Sequence, residues 1–371
     1  MPYVELHCHS AFSFLDGASL PDELVPTGLE LGYDALALTD HNSVSGSMEF
    51  AVSARALGLR PIHGAEIDLE PDDSRAADSS EAGCRAGRER EGRHLVLLVQ
   101  DARGWSNLCR IISAAHAHTR DGREGTPASA PLTPLETVLE HNKGLVCLSG
   151  CALRGIHDEP TLRRLLEAFT AERLRVELQR PFLQGDRARN RRLERLAGRL
   201  GLRTVATGNV HAHSRPRALL QDAFVAIRLH TTLDASEPQR RGNHSHVLAS
   251  PQAMAARFAE HPDAVAETIR LAERLRFDLA SDLGYRYPGA EDEKALRKLS
   301  ELCDARLAER YADAAPGVHD TARDRLHEEL RIIAKLGLPG FFLLHHDMLE
   351  LAREVAVEVR GVGAVSYTHL T

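Results

Sequence analysis

An α/β barrel is the fold class this sequence predicts, and three observations carry the expectation. Short β-rich runs alternate with helical patterns through the first 230 residues. About seven such units fit into about 210 residues, which suits a barrel better than an open doubly wound sheet. Polar residues capable of metal or proton chemistry fall at the ends of the apolar runs, where a barrel gathers its active site.

The elements follow in order. Runs rich in Val, Leu, Ile and Ala at 4–8, 35–39, 60–69, 95–100, 145–149, 174–178 and 203–207 are strand candidates. Between them, helical periodicity covers 21–31, 45–57, 105–116, 132–140, 161–171 and 187–200, the first opened by Pro21 where a missing N–H costs nothing. Strict alternation favours parallel strands joined by crossover helices. Residues 71–93 are polar, charged and aperiodic, so they read as an exposed insertion loop, and 119–131 as a second loop. After Arg228 the pattern is helical and charged, with a break at His261-Pro262, and a new unit starts near Pro288. The expected organisation is a catalytic-type domain over 1–230, a helical connector over 231–285 and a further unit over 286–371.

Composition removes other classes. Hydrophobic residues are 43% and charged residues 27%, with 27 Gly and 17 Pro, which excludes disordered, collagen-like and disulfide-scaffold chains. A net charge of −7 argues against holding nucleic acid by bulk electrostatics alone. Cys8, Cys84, Cys109, Cys147, Cys151 and Cys303 show no CxxC pair, so they read as reduced thiols. With no signal-peptide pattern and no long apolar run, the expected compartment is cytoplasmic, without membrane attachment.

The 20 histidines are the unusual number. His7 and His9 end the first run, Asp40-His41 follow the second, and Glu66 lies in the third. His94 opens the fourth run, Cys151 follows the fifth, and Asn209 and His211 follow the seventh. Any one of these is ordinary alone; together they place imidazole, carboxylate and thiolate donors at one end of a barrel. His-x-His projects both rings to the same side of an extended segment. Such donors suit zinc, iron or manganese, and there are enough of them for two or three ions. Multi-metal centres of that kind clamp the oxygens of phosphoryl transfer.

At these positions the sequence resembles a known family. LHCHSAFSFLDG, LTDHNSVSG, GAEI, HLVLLV, LSGC and ATGNVH are similar, in order, to the motifs of the PHP domain found at the N-terminus of bacterial C-family DNA polymerases, the error-prone branch in particular. The resemblance implies a PHP-type distorted (β/α)7 barrel, then a connector and the start of a polymerase palm. It also implies His7, His9, Asp16, His41, Glu66, His94, Cys151 and His211 as metal ligands, with Asp40 supporting them from behind. Asn209 stands where the family usually has Asp, and an amide neither compensates nor bridges cations as a carboxylate does. Phosphoesterase or 3′–5′ exonuclease activity is therefore expected to be weak.

Downstream, Arg360, Gly361 and Gly363 resemble the palm's glycine turn that approaches a nucleotide. The family's catalytic palm carboxylates are not found, and AVSYTHLT departs from the family pattern, so the expectation is an N-terminal fragment that does not itself polymerise. For the full-length protein the resemblance implies a DNA-directed DNA polymerase. It would use Mg²⁺, dNTPs and primer-template DNA in replication, repair and translesion synthesis, with other replication or translesion proteins as partners. The competing expectations are a free-standing histidinol-phosphatase-like phosphoesterase and a non-catalytic metal-stabilised module. Arg187, Arg191, Arg195 and Arg199 form a basic stripe read chiefly as a solvated helix face, Glu350, Glu354 and Glu358 read likewise, and Trp105 reads as a packing anchor.

Overall fold

The computed structural model describes residues 2–71, 92–117, 119, 130–283 and 294–360. Most of the two expected loops, Cys84, Gly361, Gly363 and the AVSYTHLT ending lie outside the described residues, as does the side chain of Arg360. The chain divides into two compact units, Met1–Leu283 and Gly284–Thr371.

In the first unit the order is α1 (Pro21–Glu30), β1 (Ala35–Leu38), α2 (Ser47–Leu57), β2 (Arg60–Asp68), β3 (His94–Val99), α3 (Ala102–His116), α4 (Leu135–Glu140), β4 (Leu145–Leu148), α5 (Glu159–Arg173), β5 (Leu174–Gln179), α6 (Asp186–Leu200), β6 (Arg203–Thr207), α7 (Arg215–Arg228), α8 (Pro251–Arg257), α9 (Pro262–Arg274) and α10 (Leu279–Asp282). The strands form one sheet in chain order, β1 to β6. Side-chain caps fix several helix starts: Asp101 accepts from the Gly104 N–H, Asp158 from Thr161 and Ser250 from Ala253.

Two expectations need correction. The first strand is not a regular strand; residues 4–9 run as an extended segment held by isolated bridges. Glu5 pairs with Leu36 on one side and Cys8 with Val210 on the other, so this segment joins β1 to the chain beyond β6 and closes the sheet into a distorted seven-segment barrel. Strict parallelism also fails: β3 is antiparallel to both β2 and β4, while the other pairs are parallel. Antiparallel pairing sets the start of β3 beside the end of β2, with His94 opposite Asp68.

Alternation along the strands sorts the core into two layers. Ala35, Ala37, Ile62, Val96, Leu98, Val146, Leu148 and Val205 cluster with Leu271, Ala272 and Leu275 of α9, which plugs one end of the barrel. Arg60 donates to the carbonyls of Ala272 and Leu275 and so caps that helix. Arg175 and Glu267, both buried, form a 2.7 Å ion pair between β5 and α9 at the same end. The alternate residues Leu36, Leu38, Leu95, Leu97, Leu145, Val176 and Leu178 pack outward against the helices.

His63 belongs to that outer layer, edge-on to Phe50, Trp105 and Phe277, with neither ring nitrogen hydrogen-bonded. Burial lowers its pKa to about 4. Because the unfolded chain binds this proton more readily, stability is full above about pH 6.5 and falls as pH drops toward 4, by about 3 kcal/mol. His63→Leu is expected to stabilise the fold by roughly 2 kcal/mol and to flatten this part of the pH profile. Denaturant titrations at pH 7 and pH 5 check it; a destabilised variant with the same pH slope contradicts it.

The second unit contains α11 (Ala295–Arg310), α12 (Pro316–Lys335) and α13 (Pro339–Arg360). Ile332, Phe342, Met348, Leu351, Val355 and Val357 on the last two helices, and Leu336 just after α12, are exposed. No helix among the described residues is long and apolar enough to cross a membrane.

Candidate metal centre

The barrel end opposite α9 collects the polar residues. His7 and His9 leave the closing segment, Asp40 and His41 follow β1, and Glu66 and Asp68 end β2. Cys151 follows β4, Glu177 and Gln179 end β5, and Asn209 and His211 follow β6. His94 reaches the same end for a reason the parallel-strand reading lacks: β3 runs backwards, Asp68 pairs with His94, and the start of β3 therefore lies beside the finish of β2.

Four overlapping groups result, each with its donor atoms within 4.8 Å of one another: His9, His41 and His211; His7, His9 and Glu66; His41, Asp68 and His94; and Glu66, His94 and Cys151. Glu66 is the hub. Its carboxylate lies 3.5 Å from His7 Nε2, 3.3 Å from His9 Nε2, 3.2 Å from His41 Nδ1 and 2.9 Å from His94 Nδ1. His94 Nδ1, His41 Nδ1 and Glu66 Oε1 nevertheless make no aligned hydrogen bond. Against burial, the surrounding histidines, His94 first, hold the Glu66 carboxyl well below its usual range. His94 Nε2 sits 2.6 Å from Cys151 Sγ. Although burial opposes both charges, their pairing raises the pKa of His94 to about 10 and lowers that of the Cys151 thiol. Gly150 makes this approach possible: it has φ +88°, and a Cβ there would lie 2.0 Å from the His94 carbonyl oxygen.

The outer partners fix the ring tautomers. His7 Nδ1 lies 2.6 Å from Glu177 Oε1, which also accepts from Gln179 at 2.7 Å and from Thr207. Ser13 donates to Asp40 at 2.7 Å and so accepts from His9 Nδ1 at 3.1 Å. Asp40 thus stands behind the cluster, gripping Ser10 and Ser13. With both Nδ1 atoms donating outward, His7 Nε2 and His9 Nε2 present lone pairs to each other at 3.1 Å, an arrangement that calls for a cation or a proton between them.

Asp16 is drawn to the opposite edge, with its Oδ2 3.1 Å from both His41 Nε2 and His211 Nε2. The Asn209 backbone has φ 49° and its carbonyl accepts from His211 Nδ1 and His246 Nδ1, while its own Oδ1 is buried without a partner. Asp68, Glu177 and Gln179 were not singled out from sequence; their signal was a carboxylate or amide at alternate positions of a strand, buried throughout in β5 and half-buried at the Asp68 end of β2. The basic stripe on α6 is mostly spent: Arg187 and Arg191 face Glu260, and Arg199 pairs with Glu159. Trp105 stacks on Phe277 in the outer core. Among the described residues the cysteines are free thiols.

Comparison with known proteins assigns this arrangement. Residues 5–181 match the PHP domain, and residues 297–370 match the bacterial DNA polymerase III alpha NTPase domain. The chain thus carries a PHP domain ahead of a segment similar to the bacterial DNA polymerase III alpha NTPase domain. Similar curated proteins are named error-prone DNA polymerase. One from Symbiobacterium thermophilum is 35% identical over 99% of this chain and 33% of its own length, one from Nocardia farcinica 32% over 99% and 35%, and one from Pseudomonas paraeruginosa 34% over 98% and 32%. The chain thus spans about a third of the length of these relatives. Among solved structures, a putative metal-dependent phosphoesterase from Bifidobacterium adolescentis aligns with TM-score 0.40 and 17% identity over 57% of this chain and 88% of its own. The match over 297–370 lies in the segment that a reading as a free-standing phosphoesterase leaves unexplained.

Proposed function

We propose that this chain is the N-terminal part of an error-prone DNA polymerase whose PHP barrel holds two or three divalent transition ions, of zinc, manganese or iron. The facing lone pairs of His7 and His9 beside Glu66 carry the reading. Donors are His7, His9, Asp16, His41, Glu66, His94, Cys151 and His211, joined by Asp68; Asn209 offers only a neutral oxygen. Bound ions would supply Lewis acidity toward a phosphate ester. Elemental analysis of the purified protein is expected to find two or three ions per chain. A metal-free yet folded protein overturns the proposal.

Glu177 positions His7. Glu177→Gln keeps the shape but loses the anion that fixes the ring, and is expected to weaken metal affinity by about 10- to 100-fold, read by competition with a chelating dye. Unchanged affinity would count against it.

Digestion of a 3′ end is expected to be weak, because Asn209 leaves the centre one negative charge short. Robust metal-dependent digestion that disappears in His7→Ala would contradict this.

The remaining roles are those the resemblance implies for a full-length polymerase: primer-template DNA and dNTPs as substrates, Mg²⁺ at the polymerase site, a cytoplasmic setting and contacts with other replication or translesion proteins. Arg360, Gly361 and Gly363 would approach the nucleotide. The exposed apolar residues of α12 and α13 suit burial against further polymerase domains. The PHP region would comprise 1–230 with its connector over 231–285, and the palm would start at about 286.

A further inference from the structure

The corner formed by His9, His41 and His211 differs from the rest of the centre in what faces its carboxylate. Asp16 Oδ2, which both His41 and His211 approach, also accepts a hydrogen bond from Arg241 at 2.8 Å. A second guanidinium, Arg228, lies 3.7 Å from Asp16 Oδ1. Glu66, by contrast, meets histidines. Charge at the two sides therefore differs. The Asp16 corner offers three imidazoles and one carboxylate already faced by two positive groups, Arg241 and Arg228, while the Asn209 amide lies by Gln179 at 3.5 Å.

Arg241 is itself only about a quarter exposed, and its partner Asp16 is nearly buried, so the pair is held at the edge of the centre. A divalent ion placed among these groups would meet like charge at close range in a poorly screened setting.

We propose that the Arg241 guanidinium serves as a built-in cation at the Asp16 corner, so that the chain holds its ions on the Glu66 side and binds one fewer than its donors could accept. This deepens, and rests on, the reading of the barrel end as a metal centre. It links two features of this sequence: the amide at 209 withholds one negative charge from the centre as a whole, and Arg241 satisfies the carboxylate of Asp16.

The test measures zinc per chain by mass spectrometry after loading and desalting, for the wild type, Asn209→Asp with Arg241→Gln, and Asn209→Asp with Arg241→Lys. The Gln double variant is expected to gain about one ion per chain and a larger rise in melting temperature with zinc than the wild type shows. The Lys double variant, which keeps the positive charge, is expected to stay at the wild-type count. Equal counts in all three, with zinc present, overturn the role of Arg241 and leave the metal centre standing. A gain in both double variants also overturns it, since the charge at 209 would then decide alone. Zinc-free but folded wild type and double variants overturn the metal centre itself.

Discussion

Glu66→Gln is expected to strip most of the metal from the protein and to lower its melting temperature in metal-replete buffer by about 10 °C. No other side chain in the centre lies within ion-pair distance of four histidines, and Glu66 sits in two of the four groups able to hold an ion. An amide keeps the volume but cannot bridge cations, and it leaves three buried imidazoles and the half-buried His41 without their shared anion. Metal bound only by the folded state adds its binding free energy to folding, about 4 kcal/mol at a thousandfold excess over the dissociation constant. For a unit of this size, each kcal/mol moves the midpoint by roughly 2–4 °C. Calorimetry with and without chelator separates this from a packing effect: the gap between wild type and variant should largely close once metal is removed. Equal metal content in the two proteins would sink the prediction.

The residues of this centre were legible in the sequence to different degrees, for physical reasons. His7, His9, His41 and His211 stand at the ends of apolar runs, so a barrel alone brings them together. His94 is different: a parallel strand would have carried it to the far end, and only the reversal of β3 returns it to Glu66 and Cys151. Strand direction depends on the connection, and much of the 71–93 connection has no apolar periodicity from which to read one. Glu177 lay hidden because LRVELQ reads as one more buried strand; a carboxylate there required the barrel interior to be seen as polar at this end. Arg241 lies beyond the barrel in an irregular segment between α7 and α8, where no periodic signal marks which side chains turn inward. The closing segment failed as a regular strand because its pairing is split between two neighbours, Leu36 early and Val210 late.

The 371-residue chain is expected to extend no primer. Two-metal nucleotidyl transfer needs carboxylates that hold both ions in line with the reacting oxygens. Among the described residues, every group of three or more metal-capable side chains lies in Met1–Leu283, and those groups are built on histidine and cysteine, donors ill-suited to Mg²⁺. In α13, Glu350, Glu354 and Glu358 recur at four-residue spacing along one helix, and Glu350 is committed to Arg353 and faces Arg306. Side chains so placed form a solvated helix stripe rather than a convergent pair. A gel assay with a labelled primer-template checks this. Extension by the purified 371-residue chain, unaffected by passage through a second column that removes host polymerases, would show that Gly284–Thr371 already carries a polymerase centre.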